Sequence, residues 1–293
     1  PDRVVASLLQ GRVCIFTDGT PMVLFMPVVF QDMLQNPEDY YERYHYASAI
    51  RLLRYMGLAV ALLLPSLYVA VITFHQEMLP TQLLISIAAS REGVPFPAVV
   101  EALIMEITFE ALREAGLRLP RAVGQAVSIV GALVIGQAAV QAGFVSPIKI
   151  IVVAITGISS FMIPAYNLAL SMRLLRFPIM ILAATMGLFG VMAGALALLI
   201  HMLGLRSFGV PYLAPLAPLK IPDLKDAMVR APWWAMHRRP TEIAKRNVWR
   251  IAPDLKPQPP SGGEAAFDNG RGNAGPGERS TKGGGGSSSE EGH

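Results

Sequence analysis

The sequence predicts an all-α integral membrane protein with about four transmembrane helices, additional re-entrant or interfacial helices, a short α/β soluble segment before them and a disordered tail after them. Hydrophobic residues make up 53% of the chain and charged residues only 16%, with a mean hydropathy of +0.44. This composition is too apolar for an ordinary soluble domain. The charges also cluster, so that long uncharged runs lie between them. Such runs are typical of helices that cross lipid.

Composition and motifs exclude several functional classes. The net charge of +4 would be compatible with nucleic-acid binding, but the basic residues flank apolar runs without a nucleic-acid-binding module, a pattern typical of membrane topology. The one cysteine, Cys14, is expected to be a small buried apolar residue. No cysteine and histidine cluster has metal-ligand spacing, and no serine has the frame of a hydrolase nucleophile. We therefore expect no catalytic residue, no metal and no cofactor.

Residues 1–40 are interpreted as the end of a soluble N-terminal domain. Residues 2–10 can form one helix, and residues 13–16 and 22–26 predict a β-hairpin around the turn Asp18-Gly19. The chain begins Pro-Asp-Arg, without an initiator Met or a basic-then-apolar leader. We therefore expect a fragment of a longer protein.

Residues 41–205 form the predicted transmembrane domain. A hydrocarbon core of about 30 Å needs about 20 helical residues at 1.5 Å each. Four runs without Asp, Glu, Lys or Arg are long enough to cross it, and they cover residues 55–74, 122–148, 150–172 and 177–205. A soluble protein can bury an apolar helix, but four such runs in one chain favour membrane spans.

Residues 79–120 have a different character. Their first apolar stretch is too short to cross, and the stretch 94–112 carries Glu101, Glu106 and Glu110. A carboxylate at the centre of a lipid-facing helix costs at least about 2.5 kcal/mol. We therefore expect re-entrant or interfacial helices that pack against the rest of the protein.

The four predicted crossings determine where the C-terminal residues lie. They return the chain to the side of Arg51 and Arg54, so the basic residues after the last span lie there too. A fifth crossing through the glutamate-bearing region would expel this basic segment, and its many Lys and Arg residues favour four. Residues 206–255 are interpreted as a juxtamembrane segment with an amphipathic helix over residues 223–239. Residues 256–293, rich in Gly, Ser and Pro, are predicted to be disordered.

The span 122–148 contains the candidate pore-lining and gate residues. Gln137 and Gln141 are one helical turn apart, with Val134 and Val140 at neighbouring offsets. Buried amides need partners or water, and an apolar constriction beside polar rings can act as a gate by dewetting. The alternative, that amides and small residues only attach this helix to its neighbours, is equally compatible with the sequence.

Glu106 and Glu110 are candidates for attracting cations. They are four residues apart on one helical face, so several copies around an axis would form rings of carboxylates. Arg113 lies three residues beyond Glu110 and could neutralise it. The alternative is a solvated face of an interfacial helix.

Long motifs in the sequence resemble a known family. The runs ITFHQEMLPTQLLISIAASREGVPFP and EALIMEITFEALREAGLRLPRAVGQAVSIVGALVIGQAAVQAGFVSP, together with PDRVVASLLQGR, TDGTP, PEDYYERYHY, RLLRF and LRSFGVPYLAPLAP, are similar to the GerA-type A subunit of bacterial spore germinant receptors. The resemblance covers roughly residues 1–240. The family has a larger N-terminal soluble domain, of which this chain resembles the last part.

This resemblance implies a receptor subunit in the inner membrane of the endospore, without enzymatic chemistry. Its implied partners are a transporter-like B subunit and a lipoprotein C subunit. A subunits of the family are implied to form a homo-oligomeric ring, a pentamer, that acts as a nutrient-gated channel for monovalent cations. The SpoVAF branch has similar membrane motifs and is implied to be an accessory channel that amplifies germination. A non-conducting scaffold that couples sensing to another channel is a further alternative.

Overall fold

The computed structural model describes residues 2–118, 131, 134–244 and 248–251. The N-terminal segment consists of α1 (Asp2–Leu9) and two antiparallel strands, β1 (Val13–Phe16) and β2 (Val23–Met26). Gly19 lies in the turn between the strands with a φ of +80°, a conformation that residues with a Cβ adopt only with strain. The helix and the hairpin that the sequence predicted here are confirmed.

The first long helix, α2, spans Tyr44–Phe74. Its 31 residues extend about 46 Å at 1.5 Å per residue, more than the hydrocarbon core requires. The helix contains the predicted span 55–74 and continues through the buried Pro65. Its first turns carry Arg51 and Arg54, which both form ion pairs with Asp39, a residue that precedes the helix.

Two helices occupy the region that was expected to be re-entrant or interfacial. They are α3 (Thr81–Arg91) and α4 (Ala98–Arg118). Pro97 directly precedes α4, where its missing N–H costs no helical hydrogen bond. Ala98 and Ala102 of α4 are buried in a cluster with the C-terminal part of α2. The region therefore packs against the other helices, as the sequence predicted.

The polar span predicted at 122–148 lies only partly within the described residues. Its described part, which we call α5, is helical at residues 131 and 134–141. A turn follows, and α6 covers Pro147–Phe161. α5 and α6 lie side by side, because an ideal Cβ on Gly136 would be 3.6 Å from Ile150 Cδ1.

The boundaries predicted for the span 150–172 are wrong. α6 ends at Phe161, and the next helix, α7, spans Tyr166–Gly204. Pro164 explains the break, because proline has no N–H to donate and disfavours helical backbone in the residue before it. The 15 residues of α6 extend about 22 Å, which is less than the thickness of the hydrocarbon core.

The boundary predicted between the spans 150–172 and 177–205 also lies inside α7. Arg173 and Arg176, expected in a connecting loop there, lie within the helix and are buried. α2 and α7 are the two helices of the described residues that are long and apolar enough to cross a membrane. A mostly helical chain is confirmed, and four separate spans remain a prediction.

The chain reverses direction within α7. Gly187 has a non-helical φ of 63° and ψ of −140°. An ideal Cβ on Gly190 would clash with the Leu182 carbonyl oxygen, and one on Gly194 would lie 3.3 Å from a side-chain carbon of Ile179. Fifteen residues of straight helix would separate Gly194 from Ile179 by about 22 Å. The two halves of α7 therefore lie against each other as a helical hairpin, with glycines at their contact.

The residues after α7 fold onto the residues before α2. They form a short antiparallel pair, β3 (Arg206–Ser207) and β4 (Val210–Pro211), and a single helical turn, α8 (Ile221–Leu224). The Phe30 N–H donates to the Tyr212 carbonyl oxygen at 2.8 Å. We call the described residues before α2 and after α7 the flanking layer, which lies at the end of the bundle where α2 begins and α7 ends.

The amphipathic helix expected at 223–239 is not formed. After α8 the chain runs through turns, with one 3-10 turn at Trp233–Ala235. Pro232 interrupts any helix there. The Arg230 guanidinium donates to two carbonyl oxygens just before α2, so this segment is fixed to the flanking layer by specific contacts.

Candidate functional site

α5 has one packed side and one uncovered side. Gly136 is buried against α6, and Ala139 packs on a cluster of Met105, Val145 and Val153. The opposite side is exposed, with 56% of Val134 accessible. Close packing at small residues thus fixes which face of α5 remains free.

The candidate pore residues are distributed over this free side. Val134, Gln137 and Gln141 are exposed, whereas Val140 is half-buried. The structure therefore brings three of the four onto one uncovered surface and places Val140 at its edge. An uncovered amide in an apolar environment needs a hydrogen-bond partner or water.

Glu106 and Glu110 of α4 each face an arginine of α7. Glu106 is only 2% exposed, and its carboxylate accepts a charge-assisted hydrogen bond from Arg176. Glu110 is partly exposed and accepts from Arg173 Nη1 at 2.9 Å. Arg113, the partner suggested by the sequence, instead donates to a serine hydroxyl of α6 at 2.9 Å.

The spacing of these charges contained a signal for their pairing. Two glutamates four residues apart and two arginines three residues apart each lie on one helical face. The two faces can therefore form two ion pairs side by side, as Glu106 with Arg176 and Glu110 with Arg173 do. The signal was missed because the sequence placed both arginines in a loop.

Glu101 of α4 binds the N-terminal end of α6. Its Oε1 accepts hydrogen bonds from the Ser146 N–H at 2.7 Å and from Ser146 Oγ at 2.6 Å. Arg91 Nε lies 3.7 Å from Oε2. The positive end of the α6 dipole further stabilises a carboxylate at this position.

Lys149, in the first turn of α6, is completely buried. Its Nζ lies 4.9 Å from the centre of the Tyr68 ring. It interacts electrostatically with Glu101, Glu106 and Arg176. Among the described residues, no acceptor lies within hydrogen-bond distance of Nζ. The sequence placed Lys149 between two spans and gave no reason to expect its burial.

Glu101, Glu106, Ser146, Lys149 and Arg176 together form what we call the polar centre. Besides the Lys149 ammonium, Glu101 Oε2 and Glu106 Oε1 have no hydrogen-bond donor within the part of the chain that the structure describes. Buried polar atoms are nearly always paired with protein groups or ordered water. The polar centre is therefore suited to hold water and to exchange hydrogen-bond partners.

A second set of charges fastens the flanking layer to α2. This charged clasp consists of Asp39, Tyr40, Arg51, Arg54 and Asp226. Arg54 donates to both Asp39 oxygens at 2.7 and 2.8 Å. Arg51 donates to Asp39 at 3.2 Å and to Asp226 at 3.1 Å. Because Asp226 follows α7, the clasp connects the residues before α2 with those after α7.

Hydrogen bonds keep Asp39 ionised, and burial keeps Tyr40 protonated. Burial opposes ionisation of Asp39, but the hydrogen bonds from Arg54 and from the Asn36 N–H outweigh it, so the pKa of Asp39 is lowered. Burial and the nearby Asp226 carboxylate raise the pKa of Tyr40. The Tyr40 hydroxyl accordingly donates to Asp226 at 3.0 Å.

Within residues 2–118, 131, 134–244 and 248–251, no group of three or more His, Cys, Asp or Glu side chains is placed to hold a metal ion. The polar chemistry of this region consists of ion pairs, amides and hydroxyls.

The helices and charged clusters described above lie in a region that this chain shares with known proteins. Residues 1–242 match the family model of the Bacillus/Clostridium GerA spore germination protein. The chain is 55% identical over 259 residues to spore germination protein KA of Bacillus subtilis strain 168, covering 88% of this chain. It is 58% identical over 247 residues to the membrane protein YfkQ of the same strain, covering 84% of this chain. Spore germination protein GerLA of Bacillus cereus is 44% identical over 247 residues, also 84% of this chain.

The chain spans about half the length of these relatives, with the matched part covering 48% of KA and of YfkQ and 50% of GerLA. No solved structure matches the chain. The description of YfkQ as a membrane protein and the two long apolar helices both suggest a membrane location. The family match contains all the helices from α1 to α8.

Proposed function

Because the chain belongs to the GerA family of spore germination proteins, we propose that it is the channel-forming A subunit of a nutrient germinant receptor. In this proposal it is a multi-pass protein of the inner membrane of the bacterial endospore. Its partners are a transporter-like B subunit and a lipoprotein C subunit. Several copies, five in the proposed ring, surround a gated path for monovalent cations, whose release triggers germination.

The uncovered side of α5 is the observation that supports this proposal most directly. Gln137 and Gln141 are exposed on a helix whose other side is packed against α4 and α6. Exposure of two amides to lipid is unfavourable, because lipid offers them no hydrogen-bond partner. Copies of α5 around an axis would give these amides a water-filled lumen. Val134, on the same free side of α5, would form an apolar ring that closes this lumen by dewetting. Val140 lies at the edge of the free side.

The two α4 carboxylates are proposed to attract cations to this path, and their surroundings differ. Glu106 is buried and neutralised by Arg176 in this conformation. Glu110 keeps 35% of its side chain exposed beside Arg173. Glu110 is therefore the better placed of the two to act without a movement of α7.

A cation-release assay on spores tests the proposed gate. In the full-length protein, Val134→Thr adds a hydroxyl to the apolar ring without changing the side-chain shape, so spores should release K⁺ without nutrient. Ile155→Thr is the matched control, because Ile155 is an exposed β-branched residue on α6 and does not belong to the proposed pore-lining helix α5. Unchanged K⁺ retention in the Val134→Thr spores, with normal protein levels, would remove Val134 as a gate.

The alternative function is a non-conducting scaffold, in which α5 serves only to pack against its neighbouring helices. Reconstitution of the full-length protein with its B and C subunits in K⁺-loaded liposomes separates the two functions. Nutrient-dependent K⁺ efflux supports the channel, and its absence in a complex that still binds nutrient supports the scaffold. Efflux without any nutrient-binding partner would instead indicate a SpoVAF-type accessory channel.

A further inference from the structure

The flanking layer encloses a cavity that the proposed cation path does not use. Its volume is about 470 Å³, within the range of small-molecule sites. Residues before α2, such as Asp32, form one wall, and residues after α7, such as Lys225, Arg238 and Arg250, form the other. The cavity therefore lies at the end of the bundle where the chain enters and leaves the apolar helices.

The carboxylates that line this cavity all have partners. Asp32 forms a buried ion pair with Arg12 at 2.5 Å. Asp226 is held in the charged clasp, and Glu242 is paired with Lys220. Asp223 accepts from the N–H and the hydroxyl of Thr241, a residue beside the cavity, at 3.1 and 2.7 Å. Among the described residues, Asp223 alone of these four carboxylates has no cationic partner, so one negative charge remains in the wall.

Three cations in the wall have no such neutralisation. Among the described residues, no carboxylate lies within salt-bridge distance of Lys225, Arg238 or Arg250. The Arg238 guanidinium lies 5.2 Å from the Trp249 ring centre, and that of Arg250 lies 5.3 Å from the Trp233 ring centre. Aromatic faces orient a guanidinium without removing its charge. Three cations against one carboxylate without a cationic partner leave an excess of positive charge around the cavity.

The backbone fixes the two arginines in place. Arg238 and Trp249 form an antiparallel bridge, and the Arg250 N–H donates to the His237 carbonyl oxygen at 2.8 Å. Arg250 also borders a second cavity of about 120 Å³ next to Arg3 and Arg12. A guanidinium group that is held in place matches the oxygen geometry of a phosphate group.

We propose that this cavity binds a phosphate group through Arg238, Arg250 and Lys225. The ligand is an anionic lipid headgroup or a soluble phosphate compound, which share this chemistry. The sequence supports the sign of the charge, because residues 220–250 contain eight Lys or Arg and three Asp or Glu. Basic clusters of this size next to a membrane helix are typical of anionic-lipid recognition. Trp249, 56% exposed, is suited to the membrane interface.

The test compares two sources of phosphate with the full-length protein in lipid nanodiscs. In the first arm, native mass spectrometry measures how much phosphatidylglycerol stays bound. In the second arm, inorganic phosphate is titrated into phosphatidylcholine nanodiscs while tryptophan fluorescence is followed. Retention in the first arm alone identifies a lipid headgroup, and saturable binding in the second identifies a soluble phosphate compound. Binding in neither arm overturns the proposal.

Variants test whether the cavity is the binding site. The double substitution Arg238→Gln and Arg250→Gln should weaken binding about tenfold, as expected for the loss of charge-assisted hydrogen bonds. Arg206→Gln is the matched control, because Arg206 is an exposed arginine of the flanking layer outside the cavity and should change binding less than about twofold. The double substitution to Lys keeps the charge but not the guanidinium geometry and should weaken binding less than the double Gln variant, which distinguishes lost binding from misfolding. Equal effects of Arg206→Gln and the double Gln variant would overturn the proposal.

Discussion

The charged clasp and the polar centre are two clusters of buried charge that differ in how completely they are paired. In the clasp, Asp39 accepts four hydrogen bonds from Asn36, Arg51 and Arg54. Arg51 Nη2 has no acceptor among the described residues, but its guanidinium lies over the Tyr40 ring. In the polar centre, by contrast, an ammonium and two carboxylate oxygens lack hydrogen-bond partners within the described residues.

This difference indicates different roles for the two clusters. Breaking the more completely paired cluster leaves charges buried without partners, so such a cluster resists rearrangement. An incompletely paired cluster between helices loses less when it exchanges one partner for another or for water. We therefore interpret the clasp as the fixed base of the helical bundle and the polar centre as its rearrangeable part.

The largest effect is expected in the clasp. Asp39→Ala leaves Arg51 and Arg54 without their shared carboxylate, and loss of one partner of a buried ion pair costs about 3–5 kcal/mol. The free energy of unfolding in mixed detergent micelles measures this loss. Glu38→Ala is the matched control, because Glu38 is an exposed neighbour and should change stability by less than about 0.5 kcal/mol. A loss below about 1 kcal/mol for Asp39→Ala would contradict the role of the clasp as a fixed base.

A smaller effect is expected when Glu106 loses its charge. Glu106→Gln leaves the buried Arg176 facing an amide, and a weakened hydrogen bond to a buried charged group costs about 1–3 kcal/mol. Glu110→Gln is the internal control, because Glu110 has the same kind of partner on the same two helices but is partly exposed. It should cost less than about 1 kcal/mol. Equal losses for both variants would show that burial does not distinguish the two pairs.

The sequence predicted the fold best where the signal is local. The hairpin at residues 13–26, α2 and the packed helices around Glu101 follow from turn residues, apolar length and the cost of buried carboxylates. The break at Pro164 and the reversal at Gly187 were missed because the uncharged runs continue through them. Whether an apolar helix continues or folds back at these positions depends on contacts such as that of Gly190 with Leu182. These contacts cannot be predicted from amino-acid composition.

The functional residues, like the fold, could be predicted from local spacing but not from long-range packing. The polar and apolar residues of α5 could be selected from their spacing, but the side that stays uncovered is fixed by packing against α6. Glu106 and Glu110 were recognised as unusual, whereas their arginine partners lie more than 60 residues away in the sequence. Lys149 was missed because a lysine between two apolar runs is typical of a loop. Its burial results from the tertiary packing of α6 against α2 and α4.

Acid should weaken the clasp through Asp39. The folded-state pKa of Asp39 is lowered, so the unfolded state binds more protons, and stability rises with pH through this region. The contribution is complete above the ordinary aspartate value near 3.8 and is lost as the pH falls through the folded-state pKa. Unfolding measured between pH 6 and about pH 3 should show this loss in the wild type and a smaller one in Asp39→Asn. Identical pH profiles for the two would contradict the assignment.

The smallest effect is expected for Lys149→Met in the polar centre. Methionine has a similar length, and its thioether suits a position against the Tyr68 ring. The substitution removes a buried ammonium that has no hydrogen bond among the described residues. The attraction of this ammonium to Glu101 and Glu106 is lost, but the free-energy cost of removing it from water is lost as well, and the two changes offset each other. The free energy of unfolding should therefore change by less than about 1 kcal/mol. A loss of unfolding free energy as large as that of Asp39→Ala would show that Lys149 stabilises the polar centre as strongly as Asp39 stabilises the clasp. The distinction between a fixed base and a rearrangeable centre would then fail.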